Sequence, residues 1–268
     1  MGGQSFDSGS AINHSRMPSR IAQIRKVCSH PEVYDPCDDS FALVDALLAD
    51  RSNLLEHEPK ICMEIGCGSG YVITSLALML GKESPGSFYI ATDVNPDAVA
   101  TTQKTLQAHE VDAEVVTCDI ASGLEHRLAG MVDVMVVNPP YVPTPEDEVG
   151  GDGITAAWAG GIDGRTVIDR ILPVADNLLS DKGWLYMVTL TTNNPSQICL
   201  KMKEWGYASR IIVQRSTEEE SLHIIKFWRD FPSSRSLPRP GSGHLGVKGS
   251  LLSQLSRLQF WGSGSGSS

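Results

Sequence analysis

The chain has 268 residues, 41% of them hydrophobic, with 22 basic and 32 acidic side chains and a formal net charge of −10, enough for one sizeable core in a single domain with ragged ends. Residues 231–268 hold four Arg/Lys and no acid, which leaves −14 on residues 1–230, a body that repels duplex nucleic acid unless a local basic patch overrides it. No apolar run approaches the roughly 18 residues of a membrane span, and the six cysteines form no Cys-x-x-Cys pair, which favours reduced thiols over a disulfide or zinc framework and predicts no metal site.

Residues 1–29 are Ser-rich and carry Arg16, Arg20, Arg25 and Lys26 against the single acid Asp7. A disordered arm is expected there, with a weak organellar transit peptide as the alternative and Met17 as a second candidate start. Phe6 stands where a myristoylation signal needs Ser or Thr. Next, Tyr34-Asp35-Pro36-Cys37-Asp38-Asp39-Ser40 leads into an apolar stretch, 41–48, with helical spacing. The acids and Ser40 suit a helix N-terminus, and the same segment would serve as a flap over a ligand.

Residues 61–65 read as a buried first strand that runs into Gly66-Cys67-Gly68-Ser69-Gly70 and then a helix over 71–80. Glu64 with Gly66, Gly68 and Gly70 makes acid-x-Gly-x-Gly-x-Gly, whose glycines let the backbone approach a ligand closely. A pyrophosphate loop spaces its glycines as G-x-G-x-x-G, and the acid in the strand end faces a phosphate badly. The spacing leans toward S-adenosylmethionine (SAM), a cationic, amino-acid-bearing ligand, and away from NAD. A second strand, 88–92, ends in Asp93, placed to accept ribose hydroxyls; Asn95-Pro96-Asp97 then starts a helix over 98–109. A third strand, 113–118, ends in Asp119-Ile120, where the acid is placed to accept from an adenine amino group. Each acid alone is equally a helix cap, but three at successive strand ends form a constellation.

A fourth apolar strand, 132–137, delivers Asn138-Pro139-Pro140-Tyr141 to its carboxyl end, where open α/β sheets do chemistry. The first proline cannot continue a ladder and biases Asn138 toward extended backbone. An Asn amide oxygen beside a free carbonyl can grip both hydrogens of a substrate –NH2 while Tyr141 packs on its flat face. A long segment, 142–163, rich in Gly, Pro and acid, follows; loops of that length are usually functional or disordered. Helices over 164–179 and 194–205 alternate with strands over 183–190 and 208–214, and a last strand spans 222–228. The short link 215–221 forces the last two strands into an antiparallel hairpin. The fold class is therefore α/β: a doubly wound, mostly parallel seven-stranded sheet with an antiparallel C-terminal hairpin. The predicted organisation is an arm at 1–29, a catalytic domain at 30–230 and a low-complexity basic tail at 231–268.

Taken in order, Glu64-x-Gly-x-Gly-x-Gly, Asp93, Asp119 and Asn138-Pro139-Pro140-Tyr141 resemble class I SAM-dependent methyltransferases that act on planar nitrogens. The fuller match of Tyr34-Asp35-Pro36-x-Asp38-Asp39-Ser40, Asn138 to Pro145 and Ala157-Trp158-Ala159-Gly160-Gly161 is similar to the eukaryotic branch of the HemK-type protein glutamine methyltransferases, plant members above all. The resemblance spans about residues 20–230. It implies methylation at N5 of the glutamine in the Gly-Gly-Gln loop of the class 1 peptide chain release factor. It also implies a heterodimer with a small zinc-binding activator of the Trm112 type and an association with histone H4 methylation; the location expected from the reduced cysteines is cytoplasmic, with the nucleus as the alternative. The site residues it implies are Tyr34, Asp38, Ser40, Glu64, Gly66, Gly68, Gly70, Asp93, Asp119, Ile120 and Asn138 for the cofactor, with Asn138, Pro139 and Tyr141 for the chemistry. The rival readings are a histone H4 lysine methyltransferase, an adenine-N6 nucleic-acid methyltransferase and a non-enzymatic scaffold. The chain's own Gly2-Gly3-Gln4 echoes the substrate tripeptide by coincidence.

Overall fold

A computed structural model of the chain describes residues 20–84, 86–151, 153–216 and 221–230. Met17, the Gly-Gly-Gln start, the acids at 218–220 and the basic tail lie outside the described residues. Seven strands are present among the described residues: β1 (Ile61–Ile65), β2 (Phe88–Asp93), β3 (Glu114–Thr117), β4 (Val132–Val137), β5 (Leu179–Leu190), β6 (Tyr207–Ser216) and β7 (Ser221–Arg229). They form one sheet in the order β3-β2-β1-β4-β5-β7-β6. Strands β1 to β5 pair in parallel, and β7 runs antiparallel between β5 and β6. This is the doubly wound sheet with a closing hairpin that the alternation of strand and helix predicts.

The helices are α1 (Asp38–Ala49), α2 (Arg51–His57), α3 (Tyr71–Leu80), α4 (Pro96–Ala108), α5 (Glu125–Leu128), α6 (Thr166–Leu178) and α7 (Pro195–Glu204). β4 shows why both sheet faces must be covered. Val134 and Val136 enter one core with Leu43, Leu47, Ile73 and Leu76; Met135 and Val137 enter the other with Ile168, Ile171 and Phe227. Alternation along an apolar run sends side chains to both faces, so only a sheet with helices on each side buries them. Asp133 is the acid inside that run. It is buried but accepts from the Lys60 N–H and the Ser180 hydroxyl, each at 2.7 Å, so its oxygens are satisfied.

Most element ends shift by a residue or two, and three departures from the sequence reading are larger. Helices α2 and α5 are short and mostly polar, with one buried residue between them, Leu54, so they offer no apolar period to read. Strand β5 starts at Leu179 rather than Gly183, because Leu179 pairs with Val132 before an irregular step brings Trp184 opposite Val134. The folded chain also starts before residue 30: Ala22 is buried, its N–H donates to Ser75 Oγ at 3.1 Å, and the Cys28 N–H donates to Thr105 Oγ1 at 3.0 Å. These bonds lay the segment across α3 and α4. No helix among the described residues is long and apolar enough to cross a membrane, and no cluster of metal-ligating side chains is found among them.

The order reverses between β1 and β4, which opens a crevice beyond their carboxyl ends. The glycine loop bounds that crevice. Gly70 is the N-cap of α3 with φ of +78°, and a Cβ there would lie 2.9 Å from the Thr102 Cα of α4. Both the left-handed backbone and the close helix contact require glycine. Gly70→Ala is expected to lower unfolding free energy by about 1–3 kcal/mol; urea denaturation checks this, and an unchanged midpoint would contradict it.

Candidate active site

The crevice holds a cavity of about 410 Å³ lined by residues from the ends of β1 to β4, the start of α1 and the segment after β4. Tyr34, Ser40, Glu64, Gly66, Gly68, Asp93, Asp119, Ile120, Asn138, Pro139 and Tyr141 all line it. Two expected residues do not. Gly70 is turned to α4, and Asp38 is exposed, its carbonyl accepting from Arg215 at 3.1 Å. The acid that turns inward is the next one, Asp39, which is 6% exposed.

Asp39 sits in the first turn of α1 and is surrounded by donors. Its Oδ2 accepts from Asn138 Nδ2 at 3.0 Å and from the Tyr141 hydroxyl at 2.8 Å. Its Oδ1 accepts from the Ser40 N–H at 2.6 Å, the Ser40 hydroxyl at 3.2 Å and the Cys37 thiol at 3.3 Å. Burial works against the charge, but the bonds from Asn138, Tyr141, Cys37 and Ser40 outweigh it and hold the carboxyl below its ordinary range. Burial and the same carboxylate push the Tyr141 phenol upward, so it stays protonated. With its nitrogen on Asp39, Asn138 keeps Oδ1 buried and without a partner. A buried acceptor left open beside a cavity is costly unless a ligand donor fills it.

The segment after Tyr141 is clamped. Asn193, fully buried, donates from Nδ2 to the carbonyls of Tyr141 at 2.8 Å and Asp163 at 3.1 Å, and its Oδ1 takes the Leu190 N–H at 2.6 Å. Gly164, with φ of +68°, passes so close that a Cβ would fall 2.0 Å from the Tyr141 carbonyl oxygen. Val142 and Gly160 exchange backbone bonds with Trp158 and Val142 at 3.0 and 2.8 Å, folding the long segment back so that Trp158 walls the cavity. Sequence reasoning missed Asn193 and Gly164 as supports: Asn193 reads only as part of the Thr-Thr-Asn-Asn-Pro turn.

The other acids are placed as follows. Glu64 is 2% exposed, and its Oε2 accepts the Ile73 N–H in the first turn of α3 at 2.8 Å. Burial pushes its carboxyl well above the usual 4.5. Asp93 accepts the N–H groups of Gly68 and Asn95, both at 2.9 Å, and burial raises it too, against those bonds. Asp119 is half-exposed, with Oδ2 on Arg170 at 2.5 Å. Ile120 has φ of +56°, and its carbonyl accepts from Thr92 Oγ1 at 2.6 Å. The cavity is thus lined by acids and by Asn138 with its unpartnered amide oxygen, a set that suits a donor-rich cation and not an anion.

Comparison with known proteins agrees with this chemistry. A model described as the methyltransferase small domain matches residues 25–154. The chain is 45% identical to mouse Methyltransferase HEMK2 over 73% of this chain and 89% of that one. The chain belongs to the HEMK2 family of methyltransferases. A relative in Schizosaccharomyces pombe, the eRF1 methyltransferase catalytic subunit mtq2, is 32% identical, with 74% of this chain and 90% of that one covered. The solved E. cuniculi Mtq2-Trm112 complex, responsible for methylation of the eRF1 translation termination factor, superposes with a TM-score of 0.54 at 28% identity, covering 74% of this chain and 99% of that one.

The state of Glu64 carries a pH signature. Its folded pKa is raised, so its contribution favours folding below about 4.5 and is lost as pH climbs from there through the elevated folded value. Glu64→Gln keeps the acceptor for the Ile73 N–H without the charge. The variant is expected to melt higher than wild type at pH 7.5 and to match it near pH 4.5; equal melting temperatures at pH 7.5 would contradict the burial argument.

Proposed function

We propose that the chain is a SAM-dependent N-methyltransferase that methylates the glutamine amide of the class 1 release factor as the catalytic subunit of a heterodimer. The observation that carries this reading is the buried, unpartnered Oδ1 of Asn138, a residue that lines an acid-rich cavity. The names of the relatives support it: one is an eRF1 methyltransferase catalytic subunit, and an archaeal relative, 30% identical, is a putative protein N5-glutamine methyltransferase. The E. cuniculi relative was solved with Trm112, which supports a partner of that small zinc-binding type here.

The residues present fit SAM. Three acids, Glu64, Asp93 and Asp119, line a cavity suited to a ligand that carries a sulfonium, an ammonium and ribose hydroxyls. Glu64 with Gly66 and Gly68 would hold the amino-acid end, Tyr34 and Ser40 would close over it, Asp93 would take the ribose, and Asp119 with Ile120 the adenine. Asp119 has Oδ1 to offer, since Oδ2 is on Arg170. SAM, when bound, supplies an electrophilic methyl group.

The chain's own task is positioning. An amide nitrogen is a poor nucleophile because its lone pair is delocalised into the carbonyl. Asn138 Oδ1 and the Pro139 carbonyl accept the two N–H groups of the substrate –NH2, and the ring of Tyr141 fixes the amide plane. Holding the nitrogen in line and polarising its N–H bonds supplies the barrier lowering, with no general base of tuned pKa required. An adenine amino group offers the same geometry, but the net charge of −14 on residues 1–230 opposes a duplex. A lysine must first lose a proton, and among the residues bonded to Asn138 the acid Asp39 is held ionised by five donors. This assignment places the work in the cytoplasm, and a histone substrate would add the nucleus. We assign residues 30–230, extended back to about residue 20, to the methyltransferase domain.

The chain, purified with its activator, is incubated with labelled SAM and, separately, release factor, histone H4 and duplex DNA. Label on the release factor glutamine is expected, and Asn138→Ala is expected to cut transfer by at least about 100-fold while calorimetry still detects SAM binding. Transfer to histone or DNA alone, or full transfer by the variant, would overturn the assignment.

A further inference from the structure

We infer that Asp39 is a positioning residue that sets the polarity of Asn138, making the amide present an acceptor and not a donor to the cavity. This rests on the reading of Asn138 as the group that captures the substrate –NH2. An Asn side chain can sit either way round, with oxygen or nitrogen toward a given neighbour. A carboxylate can only accept, so the ionised Asp39 admits only the orientation with Nδ2 toward it, 3.0 Å away. Oδ1 of this cavity-lining residue is then left buried and without a partner. The Tyr141 hydroxyl, donating to the same Oδ2 at 2.8 Å, fixes the second member of the loop from the same point. A hydrogen bond from the Asn138 N–H to an anion also polarises the amide and strengthens Oδ1 as an acceptor.

Charge at position 39 matters more than shape, because of what surrounds it. The Ser40 N–H and Asn138 Nδ2 are obligatory donors on opposite oxygens of the carboxylate. An amide in its place can accept from only one of them. The Ser40 N–H cannot turn away, since it belongs to the first turn of α1. Asp39→Asn therefore directs its oxygen to Ser40 and its NH2 to Asn138, which turns over and offers a donor to the cavity. The substrate –NH2 then meets a donor where it needs an acceptor.

The test uses the chain with its activator, SAM and purified release factor. In Asp39→Asn, kcat is expected to fall by at least about 100-fold, as for a misplaced reacting group, while the Kd for SAM stays within about threefold. A structural role alone would not move the second readout, the side-chain amide NMR resonance of Asn138, assigned by its loss in Asn138→Ala. In wild type its proton facing Asp39 is expected downfield of exposed Asn amides, and in Asp39→Asn it moves upfield. Should Asp39→Asn fail to fold, the wild-type resonance still decides: an Asn138 amide at exposed values overturns the proposal. An unmoved resonance or an undiminished kcat in the folded variant overturns it as well. A wild-type enzyme that labels no release factor, yet shows the downfield resonance, overturns the assigned substrate and leaves the orienting role of Asp39 standing.

Discussion

One carboxylate ties the start of α1 to the loop that follows β4. Asp39 is 99 residues from Asn138 and 102 from Tyr141 along the chain, and it bonds both through a single oxygen. The pair of contacts exists only because β4 lies at the centre of the sheet, beside β1, while α1 packs over the neighbouring face with Leu43 and Leu47 in the core. A bond of this kind, charged on one side and buried, is stronger than a neutral one and leaves a heavy penalty if one partner is removed. The loop is gripped from its other side by Asn193, at the end of β5, so the Asn138 amide and the Tyr141 phenol are held between two elements.

The site works against the stability of the fold that carries it. Glu64 and Asp93 are buried carboxylates whose pKa values rise on folding, and Asn138 Oδ1 is a buried acceptor with no donor. Burial disfavours the ionised form of both acids, and an unpaired buried acceptor is a cost to the fold. The same groups that cost stability set the charge and the hydrogen-bond direction of the crevice. Gly70 and Gly164 serve the opposite end of that balance: their backbones permit close approach between helix and helix, and between loop and loop, that supports the polar groups.

Much of this was legible in the sequence because buried parallel strands write themselves as apolar runs with a polar residue at the exit. Strands β1, β2 and β4 and their terminal Glu64, Asp93 and Asn138 follow from that pattern. The choice between Asp38 and Asp39 did not follow, because neighbours on a helix point about 100° apart and only the packed fold says which faces in. Gly70 read as a ligand contact because its spacing matches Gly66 and Gly68, while its actual neighbour, Thr102, lies on a different helix. Asn193 and Arg165 were invisible for a related reason. Their partners are distant in sequence, as with Arg165 donating to the Asn193 carbonyl at 3.2 Å and to Gln197 at 2.9 Å, and no local periodicity encodes such a contact.

The central claim is that the unpartnered amide oxygen of Asn138 receives a planar –NH2. A crystal structure of the heterodimer with S-adenosylhomocysteine and a glutamine-containing peptide from the release factor loop tests it most directly. The account predicts the glutamine side-chain nitrogen within hydrogen-bond distance of Asn138 Oδ1, with Asn138 Nδ2 still on Asp39. A glutamine bound with its nitrogen elsewhere, or an Asn138 that has released Asp39 to point its nitrogen at the substrate, would contradict it.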